Sequence, residues 1–241
     1  MRAKERARAA GLSPASARRG QPALPFRVRH GGFRPGAGRK PDGERAGVSH
    51  AARDEFDVRV PLHVTVKLRP GLPPLRRAAE YAVLRAAFVA ASKPAFRLVH
   101  YVVLDDHLHL LVEADDRAAR TLGIQGLLIR VARGLNRRWR RSGPVYADRY
   151  HARALATPSE VRNALRYVLG NARKHAAEGR QVAVPQAIDV FSSAPWFDGF
   201  REAFKVRGLE GVERPVVPPR TWLLRTGWRR HGLLSVHELP G

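Results

Sequence analysis

The 241-residue chain contains no cysteine and a single methionine. Without thiols it has no disulfides, no thiolate zinc centre and no cysteine nucleophile. Acidic residues are also scarce. Asp and Glu total 21 against 44 Lys and Arg, a formal net charge of +23. That surplus exceeds what solubility requires. It points to a polyanionic partner, because cations that neutralise phosphates release condensed counterions. No stretch approaches the long uncharged apolar run of a membrane span. The opening MRAKERARAAGLSPASARRG lacks the apolar centre of a secretory signal. The expectation is a soluble cytoplasmic, nucleoid-associated protein with no membrane partner. Hydrophobic residues, at 44%, suffice for a core.

Composition divides the chain into three parts. Residues 1–56 are expected to form a basic, Gly/Pro-rich, disordered arm. The first fifty residues hold twelve Lys and Arg against three acids, with eight Gly and five Pro, too little apolar area to offset chain entropy. Within the arm, RPGAGRKP (Arg34 to Pro41) could lie along a minor groove or serve as a plain linker. Residues 57–178 carry regular periodicity. Residues 179–241 form an irregular extension rich in aromatic and basic residues. Its aromatics Phe191, Trp196, Phe197, Phe200, Phe204, Trp222 and Trp228 are expected to dock on the preceding domain. Pro215 to Arg220 reads as a connector, and PRTWLLRTGWRRHG as a short basic helix.

In the central part, Leu62, Val64, Val66 and Leu68 alternate with His63, Thr65 and Lys67, the pattern of a half-buried strand. PPLRRAAEYAVLRAAFVAASKP predicts a helix opened by Pro73–Pro74. Its buried stripe would be Leu75, Ala79, Ala82, Val83, Ala86, Val89 and Ala90. FRLVHYVVLDDHLHLLVEA reads as a hairpin turning at Asp105–Asp106. A helix follows over 117–141, with Ile124, Leu127, Leu128, Val131 and Leu135 inside and Gly143–Pro144 as its break. A short strand from about Tyr150 to Ala156 leads to a last helix. Thr157 N-caps it, Pro158 suits its first turn, and Glu160 completes a capping box. Val161, Ala164, Leu165, Val168, Leu169 and Ala172 form its buried stripe. The order β-α-β-β-α-β-α predicts an α+β, ferredoxin-like antiparallel sheet with packed helices.

Strand alternation puts His107 and His109 on one face of the second hairpin strand and Leu108, Leu110 and Val112 on the other. Two imidazoles so spaced could chelate one divalent ion, or stand as polar residues on a solvated face. In the last helix, Tyr167 falls well off the buried stripe, with Asn171 one turn further along the same flank. That tyrosine could be a reactive phenol or a rim aromatic.

DDHLHLLVEAD resembles the His-hydrophobic-His (HUH) signature of single-tyrosine transposases. RYHARALATPSEVRNALRYVLGNARKH resembles the segment carrying their nucleophile, where Tyr is followed four residues later by Asn, and PLHVTVKL resembles their first strand. The resemblance is to the REP-associated tyrosine transposases and covers roughly residues 57–178. Two positions depart from it: Asp106 where many relatives carry Asn, and Ala-Arg after Asn171 where Pro-Val is usual.

The resemblance implies a metal-dependent DNA endonuclease and strand transferase acting in DNA transposition. His107 and His109 would hold a divalent cofactor, Mg2+ or Mn2+, with Asn171 as third ligand. Glu113 shares the histidine face and is the alternative third ligand. Tyr167 would attack a scissile phosphate of hairpin-bearing single-stranded DNA, leaving a 5′-phosphotyrosine. Imidazole ligands suit manganese-like ions better than magnesium. A phenol, with an ordinary pKa of about 10, is a reasonable leaving group for the reverse step. A homodimer with Tyr167 acting across it and a self-sufficient single chain both remain open.

Arg130, Arg133, Arg137, Arg140 and Arg141 form a stripe opposite the buried face of the second helix. With Arg149 and Arg153 they are the expected DNA-binding surface. No acid lies between Arg117 and Arg141 to pair with them. Tyr146 and Tyr150 are base-stacking candidates. His63-Val-Thr65 looks like half of a two-histidine phosphoesterase motif, but the second His-x-Thr/Ser is missing. His100, His151 and His175 read as surface or hydrogen-bonded histidines. The same basic composition also fits a catalytically inactive DNA-binding regulator on this fold and, more weakly, an RNA-binding protein.

Overall fold

The two apolar runs on either side of Asp105–Asp106 pair as expected. In the computed structural model they are β2 (Phe96–Val103) and β3 (His107–Ala114), joined by a short turn in which the Leu104 amide donates to the His107 carbonyl at 3.0 Å. The structure describes residues 60–177, 179, 188–206, 208, 209 and 211–238. The basic arm and its Arg34–Pro41 segment lie outside them. Around the hairpin are β1 (Leu62–Lys67), α1 (Ala78–Val89), α2 (Arg117–Arg138), β4 (His151–Ala154) and α3 (Pro158–Ala177). The sheet order is β2-β3-β1-β4, and every neighbouring pair is antiparallel. This is the α+β, ferredoxin-like arrangement predicted from the element order.

The sheet is covered on both faces. On one, Val64, Val66, Leu108, Leu110 and Val112 pack against Leu84 and Phe88 of α1 and Ile124, Leu127, Val131 and Leu135 of α2. On the other, Val99, Val102 and Leu111 pack against Val161, Leu165, Val168 and Leu169 of α3. Double coverage explains why β2 is apolar nearly throughout rather than alternating. The α3 start is built as predicted: the Glu160 amide donates to Thr157 Oγ1 at 3.2 Å, and the Thr157 amide donates to Glu160 Oε2 at 3.1 Å.

Three local expectations are corrected. The first concerns α1, which begins at Ala78, past Pro73–Pro74, and buries a different face. Ala82, Ala86 and Ala90 are exposed, while Glu80, Leu84, Ala87 and Phe88 are buried. Burying Leu and Phe removes far more apolar area from water than burying alanines, so the large side chains set the rotation. Buried Glu80 accepts from Trp139 Nε1 at 3.2 Å. The second is the end of α2, which comes at Arg138, before Gly143–Pro144; Arg140 takes a left-handed φ of 49° just beyond it. The third is β4, which is shorter than the Tyr150–Ala156 expected.

Most of the buried side chains of the extension pack on the α3 side. Phe197 and Trp228 are buried with α4 (Trp222–Arg225) residues Leu223 and Leu224. Phe200 and Phe204 pack against this cluster, and Phe191 and Trp196 against the other core. Trp222 is the exception: it stays 48% exposed under the Arg230 guanidinium. Arg162 of α3 ties the extension down by donating to both carboxylate oxygens of Glu238 at 3.1 and 3.2 Å. Among the described residues, no helix is long and apolar enough to cross a membrane.

Candidate active site

The side chains of β1 and β3 that do not enter the α1/α2 core face α3. The register sets Thr65 directly opposite His109, Lys67 opposite His107 and His63 opposite Leu111. Across β1, Arg153 of β4 stands opposite His63. The α3 helix brings Tyr167, Asn171 and His175, each one turn after the last, to the same face. The Tyr167 ring lies edge-on to His109 at 5.0 Å between centroids and to His63 at 5.8 Å. The His107 ring lies 4.9 Å from His109 and 5.5 Å from His175. Asn171 therefore falls, along the helix, between the residue over His109 and the residue over His107.

Hydrogen bonding fixes the backs of the β3 histidines. His107 Nδ1 is 2.6 Å from Asp106 Oδ1. Partial burial opposes ionisation of Asp106, but the His107 hydrogen bond and charge, with Lys67, outweigh it and hold its carboxyl below the usual range. His109 Nδ1 is 3.1 Å from both His63 Nε2 and Thr65 Oγ1. Burial takes His109 down to about 2, assisted by the nearby imidazoles. Burial, then Arg153 and His151, takes His63 down to about 4. Both rings are thus neutral near pH 7.

The other side of His109 is unsatisfied: its Nε2 is buried without a hydrogen-bond partner, and so are Nδ2 and Oδ1 of Asn171. Buried polar atoms are rarely left so. A neutral imidazole and a carboxamide oxygen with free lone pairs are donors that suit a divalent ion. His109 and Asn171 therefore fit such an ion, and the His107 ring stands 4.9 Å from that of His109. Among the described residues, no three His, Cys, Asp or Glu side chains are arranged to hold a metal. Glu113, the alternative third ligand, is committed elsewhere. Its carboxylate accepts from the Arg220 amide at 2.7 Å and from the Thr221 amide and hydroxyl at 3.0 and 2.7 Å, just before α4.

A cavity of about 440 Å3 opens beside Tyr167, lined by His63, Arg153, Glu160, Asn163 and Arg166 among others. Arg153 is exposed at this cavity and pairs with Glu160 at 2.7 Å. The other predicted DNA-binding arginines lie apart from it. Arg130, Arg133 and Arg137 are exposed on the outer side of α2, across the sheet from the histidines, and Arg140 is exposed just past its end. Arg141 is half-buried and donates to Asn136 Oδ1 at 2.9 Å; Arg149 is exposed in the loop before β4. Tyr146 is not free to stack on bases, because its hydroxyl donates to the Leu128 carbonyl at 2.8 Å and its ring packs on the core. Tyr150 lines an apolar cavity of about 510 Å3 on the α2 side with Leu128, Ile129 and Pro144.

Sequence reasoning set aside His63 and His175, and both stand at the site. Strand parity was the signal available for His63, which shares a face with Thr65. For His175 it was the four-residue spacing from Asn171. His100 is buried against Ser193 Oγ, and His151 is exposed.

No family model matches the sequence, and no curated protein does. Among solved structures, the chain is similar to a REP-associated tyrosine transposase bound to a REP hairpin, with 18% identity and a TM-score of 0.45, covering 60% of this chain and 82% of that one.

Proposed function

We propose that this protein cuts and rejoins single-stranded DNA, with Tyr167 as nucleophile and a divalent ion, Mg2+ or Mn2+, held by His107, His109 and Asn171. The observation that carries this reading is one cluster. The Tyr167 ring sits 5.0 Å from His109, whose Nε2 is buried without a partner, as is the amide of Asn171 one turn further along α3. The transposase-like motifs name the same four residues. Sequence spacing alone would not require them to meet.

When bound, the ion would draw charge from the scissile phosphate. Tyr167 Oη attacks phosphorus in line as its proton leaves. The bond from phosphorus to the 3′-oxygen breaks, that oxygen takes up a proton, and a 5′-phosphotyrosine remains. A 3′-hydroxyl from another strand can attack this ester in turn. The Tyr167 oxygen then leaves as a phenolate, so joining needs no ATP. Tyr167 and His109 approach each other within one chain, and the chemistry requires no second copy. The substrate in this reading is single-stranded DNA bearing a hairpin, the reaction DNA transposition. The high positive charge supplies non-specific phosphate affinity.

The test uses labelled single-stranded hairpin oligonucleotides from the flanks of the gene, incubated with protein and Mn2+ and run on a denaturing gel. A covalent protein–DNA band is expected. It should need metal, vanish in Tyr167→Phe with affinity retained, and be lost in His107→Ala. A band that persists in Tyr167→Phe would remove the tyrosine from the mechanism. Binding with no band on any substrate would leave a DNA-binding regulator on the same fold.

A further inference from the structure

His63 links the metal side of the site to the tyrosine side. Its Nε2 lies 3.1 Å from His109 Nδ1, and Thr65 Oγ1 lies at the same distance from that nitrogen. The register accounts for both contacts: Thr65 is directly across from His109, and His63, two residues earlier on β1, shares its face. A neutral imidazole carries one N–H and one lone pair, and the partners determine which nitrogen has which. With the proton on Nε2, His109 would bury an N–H that has no acceptor. With the proton on Nδ1, the N–H meets two acceptors, and the buried Nε2 keeps an open lone pair.

We infer that His63 is a positioning residue that accepts the Nδ1–H of His109, and so holds that ring with its Nε2 lone pair presented to the metal. The inference rests on the reading of His109 as a ligand. His63 in this role carries its own proton on Nδ1. Asp106 does the corresponding work for His107, at 2.6 Å from its Nδ1. The two β3 imidazoles are thus both held from behind through Nδ1, one by a carboxylate and one by a histidine–threonine pair. Partners of this kind are typically worth about 10- to 100-fold in metal affinity. His63 also stands edge-on to Tyr167 at 5.8 Å, so the residue that orients the ligand also touches the ring of the nucleophile.

The test has two readouts that do not depend on DNA cleavage. The first is the 15N NMR tautomer of His109 in the metal-free protein. The second is Mn2+ affinity, followed by the electron paramagnetic resonance signal of the free ion. Wild type should show the Nδ1–H tautomer. His63→Leu should mix the tautomers and weaken Mn2+ by about 10-fold or more. His63→Gln, whose amide oxygen can accept the same hydrogen bond, should restore most of the affinity. A purely structural role would not separate Gln from Leu in this way. An Nε2–H tautomer in wild type, or a folded His63→Leu with unchanged Mn2+ affinity, overturns the inference while leaving the cleavage mechanism standing. If His63→Leu does not fold, the wild-type tautomer and His63→Gln still decide. If wild type binds no Mn2+ and His107→Ala changes nothing, the metal reading falls and this inference with it.

Discussion

His100 shows how strongly a single buried side chain can tie this fold to pH. It is 5% exposed, 3.1 Å from Ser193 Oγ and edge-on to Phe197. Burial, then the charge of Arg214, lowers it from 6.5 to about 3. As pH falls through about 6.5 the unfolded chain takes up a proton on this residue, and the folded chain does not until about 3. Between those values the unfolded state binds more protons, so stability falls with pH across that window and is fully present above it. His63 and His109 act in the same direction, with values of about 4 and about 2. The free energy of unfolding from urea titrations should therefore drop steadily from pH 7 to pH 4. His100→Leu should make that drop shallower by about 1 kcal/mol per pH unit. An equal slope in the variant would mean that His100 is not held neutral in the fold. The Tyr167→Phe and His63→Leu tests belong to this scale too, since each removes one oxygen or one acceptor from a site built of single atoms.

Elements show where local pattern suffices and where packing overrides it. The α3 capping box and its buried stripe were legible because a cap and a 3.6-residue period are both written within a few residues. The α1 rotation was not, because alanines on several faces make the period degenerate and only contact with the sheet chooses among them. Gly123 in α2 is a second case. A glycine inside a helix costs about 1 kcal/mol relative to alanine, so Gly123→Ala would be expected to stabilise on propensity alone. A Cβ there would meet the Phe96 ring at 2.1 Å, and Phe96 is 2% exposed. Overpacking of that kind costs about 1–3 kcal/mol. Gly123→Ala should thus give a net loss and a lower Tm in thermal unfolding; a higher Tm would show that the ring can move aside.

At the scale of the whole molecule, the sheet separates two surfaces that the sequence presents as one basic region. The α2 arginines belong to the α1/α2 face, and the histidine–tyrosine cluster to the α3 face. Long-range phosphate attraction can still act from the far side, but the α2 stripe cannot touch the phosphate that Tyr167 would attack. The double substitution Arg133→Ala, Arg137→Ala should weaken DNA binding and lower the salt-dependence slope by about 2. The yield of covalent adduct at saturating DNA should stay unchanged. A lost adduct with intact affinity would mean that the stripe reaches the reacting centre after all. The extension also acts at this scale. By drawing Glu113 onto the Arg220 and Thr221 amides just before α4, it removes a carboxylate that strand parity alone left available to a metal.

What the sequence determined by itself was local. It set the strands and helices, the shared face of His107 and His109, and the flank of α3 that carries Tyr167 and Asn171, because each of these is a period repeated over a few neighbouring residues. The tertiary structure alone decided which residues meet across the chain. Strand order and register bring His63 to His109 from 46 residues away, α3 sets His175 beside His107, and the arginine stripe is turned to the opposite side of the sheet. Those pairings follow from which faces must be buried together, a condition on the whole molecule that no short window of sequence contains.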